Sequence, residues 1–235
     1  MTPLEATEDR FGFSYPPLYK QLHAEGLLDT GQFGPQWLTS EFPRLRLRPP
    51  LLLFGQDFEL MQITDIAEET AEFFNPDSYR EVRPDLRFVP FAMSGGGDLY
   101  CFHLNAATEA GVPIVYVWHD ADEATFQAGN LQDFMFRSLL KAVAEVDQDS
   151  LIMVGDFTEN CRAMLCTHGP FLTPRQREVV AGIYQRDLSA QARALPRGRN
   201  ATCRGLLSDE ELVQILSAEI GFEHFGQSFG YMREE

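Results

Sequence analysis

The stretch Phe88–Asp120, FVPFAMSGGGDLYCFHLNAATEAGVPIVYVWHD, most restricts how this chain can fold. Phe88-Val89-Pro90-Phe91 is a short apolar run ending at Ala92. Leu99–Leu104 is a second run, rich in aromatics, and Ile114–Trp118 a third, rich in β-branched residues. Short apolar runs bounded by Gly, Pro and Asn predict adjacent strands. Between the first two lies Met93–Gly97. Its glycines, Gly95, Gly96 and Gly97, lack the Lys-Ser/Thr pair and the following helix of a phosphate-cradling loop. They predict a tight hairpin turn that uses positive φ, with the carboxylate of Asp98 stabilising it.

Composition sets the class. With 235 residues, 44% of them hydrophobic and 23% charged, the chain is too apolar for disorder. It is long enough for one large domain, or for one domain with a substantial extension. No run approaches the roughly 18 apolar residues that cross a bilayer, and MTPLEATEDR has no signal-peptide pattern, so a cytoplasmic location away from membranes is expected. Cys101, Cys161, Cys166 and Cys203 are scattered without zinc-like spacing, which predicts reduced, packed thiols and no metal. Nineteen basic against 35 acidic side chains give −16, which opposes nucleic-acid binding through phosphates and suits a basic protein partner. Residues 1–150 carry 10 basic and 24 acidic side chains, a net −14; residues 151–235 carry 9 and 11, a net −2.

Residues 1–10 read as polar and frayed. Ser14-Tyr15-Pro16-Pro17 opens a helix, because proline loses no intrahelical bond in a first turn, and Gly26 follows as its cap. Leu27–Pro50 is irregular, with Arg44–Arg48 alternating like an edge strand, and Leu51–Gly55 reads as a further strand. Ile63–Phe74 and Asn130–Val146 carry apolar residues at helical spacing, the first with Thr64 as its cap. Leu151–Val154 fits either a short strand or a helix start. Pro174–Ala194 reads as a helix capped by Thr173, Leu195–Gly205 as a Pro/Gly/Arg loop, and Asp209–Ile220 as a last helix behind Ser208. The aromatic, glycine-rich tail FEHFGQSFGYMREE either packs back or stays mobile.

Two blocks in this order resemble the SUKH superfamily, which includes bacterial toxin-immunity proteins and a fungal regulator of cell-wall synthesis. The first is Phe11-Gly12-Phe13-Ser14-Tyr15-Pro16-Pro17-Leu18-Tyr19 with Gly26, similar to the family's proline-started opening helix. The second is Phe88–Ala92, the turn, Gly97–Phe102 and then Val115–Asp120, similar to its apolar strand, Gly-Asp turn, aromatic strand and strand running into His-Asp. The helix from Asn130 falls where the family places its closing helix. The resemblance implies an α+β fold: a curved, largely antiparallel sheet packed by helices. It covers a domain over residues 8–146, leaving 147–235 as a mainly helical extension packed on it. It also implies a non-enzymatic role in which the protein binds and neutralises a co-encoded toxin, often a nuclease. The alternative is a regulatory scaffold of the same fold with no toxin partner.

Two clusters carry candidate chemistry. His119, Asp120, Asp122 and Glu123 form the densest titratable group; carboxylates there suit a hard cation and His-Asp suits a general base. No second ligand cluster has matching spacing, and the group follows a strand as an exposed loop does. A solvated acidic loop is therefore the simpler reading than a metal or catalytic site. The role expected of it, if it has one, is contact with a basic protein partner, the toxin that the resemblance implies, with no catalytic residue, metal or cofactor. Thr173–Gly205 carries arginines 175, 177, 186, 193, 197, 199 and 204 against Glu178 and Asp187, a local +5. With few aromatics there, docking against the acidic N-terminal domain is the simpler expectation than nucleic acid.

Overall fold

Each of the three apolar runs between Phe88 and Asp120 is a strand in the computed structural model, which describes residues 1–195 and 199–233. In chain order the elements begin with helices α1 (Pro3–Phe11), α2 (Pro17–Ala24), α3 (Trp37–Ser40) and α4 (Phe42–Leu45). Strand β1 (Glu59–Leu60), helix α5 (Ile63–Phe74) and strands β2 (Phe88–Met93), β3 (Leu99–His103), β4 (Ile114–Val117) and β5 (Ala124–Ala128) follow. Then come helices α6 (Leu131–Ala144), α7 (Phe157–His168) and α8 (Pro174–Tyr184), strands β6 (Ser189–Leu195) and β7 (Arg199–Gly205), helix α9 (Asp209–Glu219) and strand β8 (Ser228–Phe229). The architecture is α+β. Among the described residues no helix is long and apolar enough to cross a membrane.

The chain divides into two compact units: Met1–Asp29, Asp57–Phe134 and Phe222–Glu235 form the first, Thr30–Gln56 and Met135–Gly221 the second. The first holds a six-stranded antiparallel sheet in the order β1-β2-β3-β4-β5-β8. Side chains alternate across a strand, so β3 feeds two cores. Leu99 and Cys101 pack with Ile66 and Phe73 of α5, while Tyr100 and Phe102 meet aromatic rings of α2 and of the first turn of α6. All five β3 residues are buried, which is why its sequence reads as a continuous apolar run. Register shifts between Pro90 and Ala92 and between Ile114 and Val115 bend the sheet locally.

Two N-terminal expectations change. Residues 3–11 form α1, held by a capping box in which Thr2 and Glu5 satisfy each other's backbone N–H, and closed by Gly12 at φ 65°. Thr64 does not cap α5; its N-cap is Gln62, without a side-chain bond. The tail packs back, as β8 pairs with β5.

The second unit departs further from expectation. Arg44–Arg48 is no edge strand: Pro43 sits in the first turn of α4. Leu51–Gly55 is a series of turns in which Leu52 takes φ 53° and donates its N–H to Nε2 of His168 at 3.0 Å. Leu151–Met153 is a 3-10 turn. Helix α7 was not foreseen, because its buried stripe includes Asn160 and His168, and the apolar periodicity is broken. Helix α8 stops at Tyr184, and the expected helix end and loop form instead the hairpin β6–β7. Residues 196–198 of the expected loop lie outside the described residues.

Candidate functional site

The register of the sheet builds the site. Leu99 pairs with Val117, so Asp98, just before β3, lies beside the chain leaving β4 at His119. Asp98 is 7% exposed and accepts hydrogen bonds from the Tyr116 hydroxyl at 2.6 Å, the His119 backbone N–H at 2.9 Å and Ser94 Oγ at 3.3 Å. His119 Nδ1 lies 2.7 Å from Asp98 Oδ1; an ionised carboxylate only accepts, so Nδ1 carries the hydrogen. Burial works to raise the Asp98 carboxyl, but the hydrogen bonds from Tyr116 and His119 outweigh it and hold the group below its ordinary value. Burial, then the neighbouring Asp98, pushes the Tyr116 hydroxyl up.

The glycine turn is the other wall. Ser94 N–H donates to the Asp98 carbonyl at 2.8 Å and Gly97 N–H to the Ser94 carbonyl at 3.1 Å, with Gly97 at φ 94°. Gly96 and Asp98 each donate a backbone N–H to Ser94 Oγ. Gly95 donates its N–H to the Asp57 carboxylate at 2.9 Å. A carboxylate thus already occupies the turn's outward amide. Asp98 does touch the turn through Ser94, yet most of its hydrogen bonds run across to β4 and the loop that follows.

The β4–β5 loop brings His119, Asp120, Asp122 and Glu123 together and assigns them different tasks. Asp122 Oδ1 accepts the backbone N–H groups of Tyr231 and Met232, both at 2.7 Å. Glu123 Oε1 accepts from Ser228 Oγ at 2.7 Å, and the Tyr231 hydroxyl donates to the Trp118 carbonyl at 3.0 Å. The loop therefore fastens the C-terminal segment. Asp120 is exposed and makes no hydrogen bond or ion pair among the described residues. Ligand atoms of Asp98, His119 and Asp120 lie within 4.8 Å of one another, the spacing of a cation site. However, the Asp98 oxygens already accept four hydrogen bonds and His119 Nδ1 is a donor, so a cation would have to break that knot. Chemically, the arrangement presents a fixed imidazole and a free carboxylate side by side.

Charge is segregated between the units. The first contains 6 basic and 23 acidic side chains, net −17; the second 13 and 12, net +1. Within the second, Arg175 pairs with Glu219 at 3.0 Å, and Arg186 with Glu211 at 2.7 Å. These arginines of the basic stretch are matched by acids of α9, a local pairing that sequence spacing did not reveal. Arg197 lies outside the described residues.

The family model described as the SMI1 / KNR4 family (SUKH-1) matches residues 3–137. No curated protein and no solved structure matches the chain. The match runs from α1 through the sheet to the first half of α6, more than half of the sequence, and on it the chain belongs to the SMI1 / KNR4 family.

Proposed function

We propose that this chain is a non-enzymatic immunity protein that binds a co-encoded toxin and neutralises it by protein–protein contact in the cytoplasm. The observation that carries this reading is the excess of 23 acidic over 6 basic side chains in the unit that contains most of the family match. A toxin that handles polyanions, such as a nuclease, presents a basic cleft, and an acidic protein is steered to it and can fill it. Asp120, exposed and without a partner among the described residues, is the contact residue of the β4–β5 loop that costs the fold least to commit. His119 stands beside it with its ring oriented by Asp98. Asp122 and Glu123 combine any such contact with holding the tail.

Co-expression with the toxin encoded beside this chain tests the reading. Rescue of growth, with co-purification that weakens as salt rises, is the expected result. Cell death despite accumulation of both proteins overturns it and leaves the regulatory-scaffold reading of the same fold.

A further inference from the structure

The first unit carries a basic groove within its acidic surface. The groove measures about 370 Å³ and is floored by Phe74, Val82 and Leu86. Its wall includes Arg83, Arg87 and Arg233, and among the described residues no acidic side chain lines it. Half of the six basic residues in a unit with 23 acids thus converge on one place. Chance scatter of charge gives the opposite expectation, a groove lined by carboxylates.

The three arginines differ in what they have left to offer. Arg83 lays its fork on Asp85, at 3.2 and 2.9 Å, and donates to the Gly230 carbonyl at 3.1 Å. It is a structural wall. Arg87 stacks over Phe74, 4.6 Å from the ring centroid, and uses one terminal nitrogen on the Phe11 carbonyl at 2.8 Å. Among the described residues, Arg233 uses only Nε of its side-chain nitrogens, on the Val82 carbonyl at 3.0 Å. Neither Arg87 nor Arg233 has a carboxylate partner among the described residues, and each is held by a backbone carbonyl, so both are pre-oriented as donors.

Arg233 reaches the groove because the tail is fastened twice. Its backbone N–H bonds to the Glu81 carbonyl, and the N–H of Arg83 bonds to the Tyr231 carbonyl. On the other side, Asp122 holds the N–H groups of Tyr231 and Met232. This arginine lies outside the residues matched by the family model, 3–137.

We propose that the groove is a docking site for an acidic segment of a partner protein, in which a carboxylate is bound between Arg87 and Arg233 and an adjacent apolar side chain rests on the Phe74 and Leu86 floor. Guanidinium matches carboxylate geometry in two-pronged fashion, and the apolar floor discriminates against a bare anion. Nucleic acid is disfavoured as the occupant by the −17 of the surrounding unit. The inference is independent of the immunity reading, since a basic toxin surface would be drawn to the carboxylates outside this groove.

Selection of a random short-peptide library displayed on phage against the purified full chain tests it. The enriched peptides should pair Asp or Glu with a neighbouring apolar residue. A synthetic consensus peptide should shift the NMR signals of Arg87 Nε–H and of the Leu86 methyls. Arg233→Glu should weaken that peptide about tenfold or more, the loss of one charge-assisted hydrogen bond. Arg233→Gln should give an intermediate loss, with unchanged thermal unfolding showing that both variants fold. Enrichment of basic peptides, failure to enrich any peptide, or equal affinity for wild type and Arg233→Glu overturns the proposal. Because no toxin is present, none of these results bears on immunity.

Discussion

One carboxylate oxygen of Asp122 holds the backbone N–H groups of two consecutive residues, Tyr231 and Met232, each at 2.7 Å. A loop residue that looked like a surface charge is thus the clamp of the C-terminal segment. Asp122→Ala should cost about 1–3 kcal/mol of local stability, since two donors lose a charged acceptor. Amide hydrogen exchange at Tyr231 and Met232 would report it. Protection equal to wild type would show that β8 pairing and the bonds to Trp118, Arg83 and Glu81 hold the tail without Asp122.

Asp98 should behave as a stabilising buried anion. Its folded carboxyl titrates below the ordinary value, so its stabilisation is present above the unfolded range, near 3.8, and is lost as the pH falls through the lower folded value. Asp98→Asn keeps the size but cannot serve the Tyr116 hydroxyl, the His119 N–H and the His119 ring together. A loss of about 1–3 kcal/mol at neutral pH is expected, with a flatter acid limb in chemical denaturation.

Two buried histidines set a second acid response. Burial holds His103 and His168 at about 4, against an ordinary 6.5. His103 stacks on Phe229 and lies among Phe88 and Phe126, with neither ring nitrogen partnered among the described residues; the Asp85 charge raises it slightly and Arg83 lowers it. His168 Nε2 accepts from Leu52 N–H, so its hydrogen sits on Nδ1, facing the Met164 carbonyl. Both fold as neutral rings, so the stability they permit is complete above pH 6.5 and falls as the pH drops toward 4. The slope should approach about 1.4 kcal/mol per pH unit for each ring. His103→Phe should remove its share, and an unaltered slope in that variant would refute the assignment.

Gly205 tolerates no side chain. A Cβ there would run into the Ala144 carbonyl oxygen, because Val146 N–H bonds to the Arg204 carbonyl and Leu206 N–H to the Val143 carbonyl, both at 2.7 Å. Gly205→Ala should therefore destabilise the second unit by about 1–3 kcal/mol, seen as a lowered denaturation midpoint.

The sheet was legible because β2, β3 and β4 must be apolar on both faces, and such runs survive in a bare sequence. The first helix was legible in principle, through the Thr2–Glu5 capping box, but its polar surface argued louder. Leu52 left no local trace: its left-handed backbone is answered by His168, 116 positions away. The β6–β7 hairpin was hidden because Ala, Gln and Arg favour helix, and only pairing with the other strand overrides that preference. The titratable cluster at His119–Glu123 was visible as composition. Its division of labour was not, since Asp98 joins it only through sheet register and the tail joins it from more than a hundred residues away.

Confining a net −17 to the first unit makes that unit repel itself. The folded form carries this tension at all times, and added salt relaxes part of it. A docked cationic surface would relax more, so the complex should resist heat beyond what its contacts alone provide. Raising ionic strength should then stiffen the free protein while loosening the complex, two opposite responses rooted in the same crowd of carboxylates.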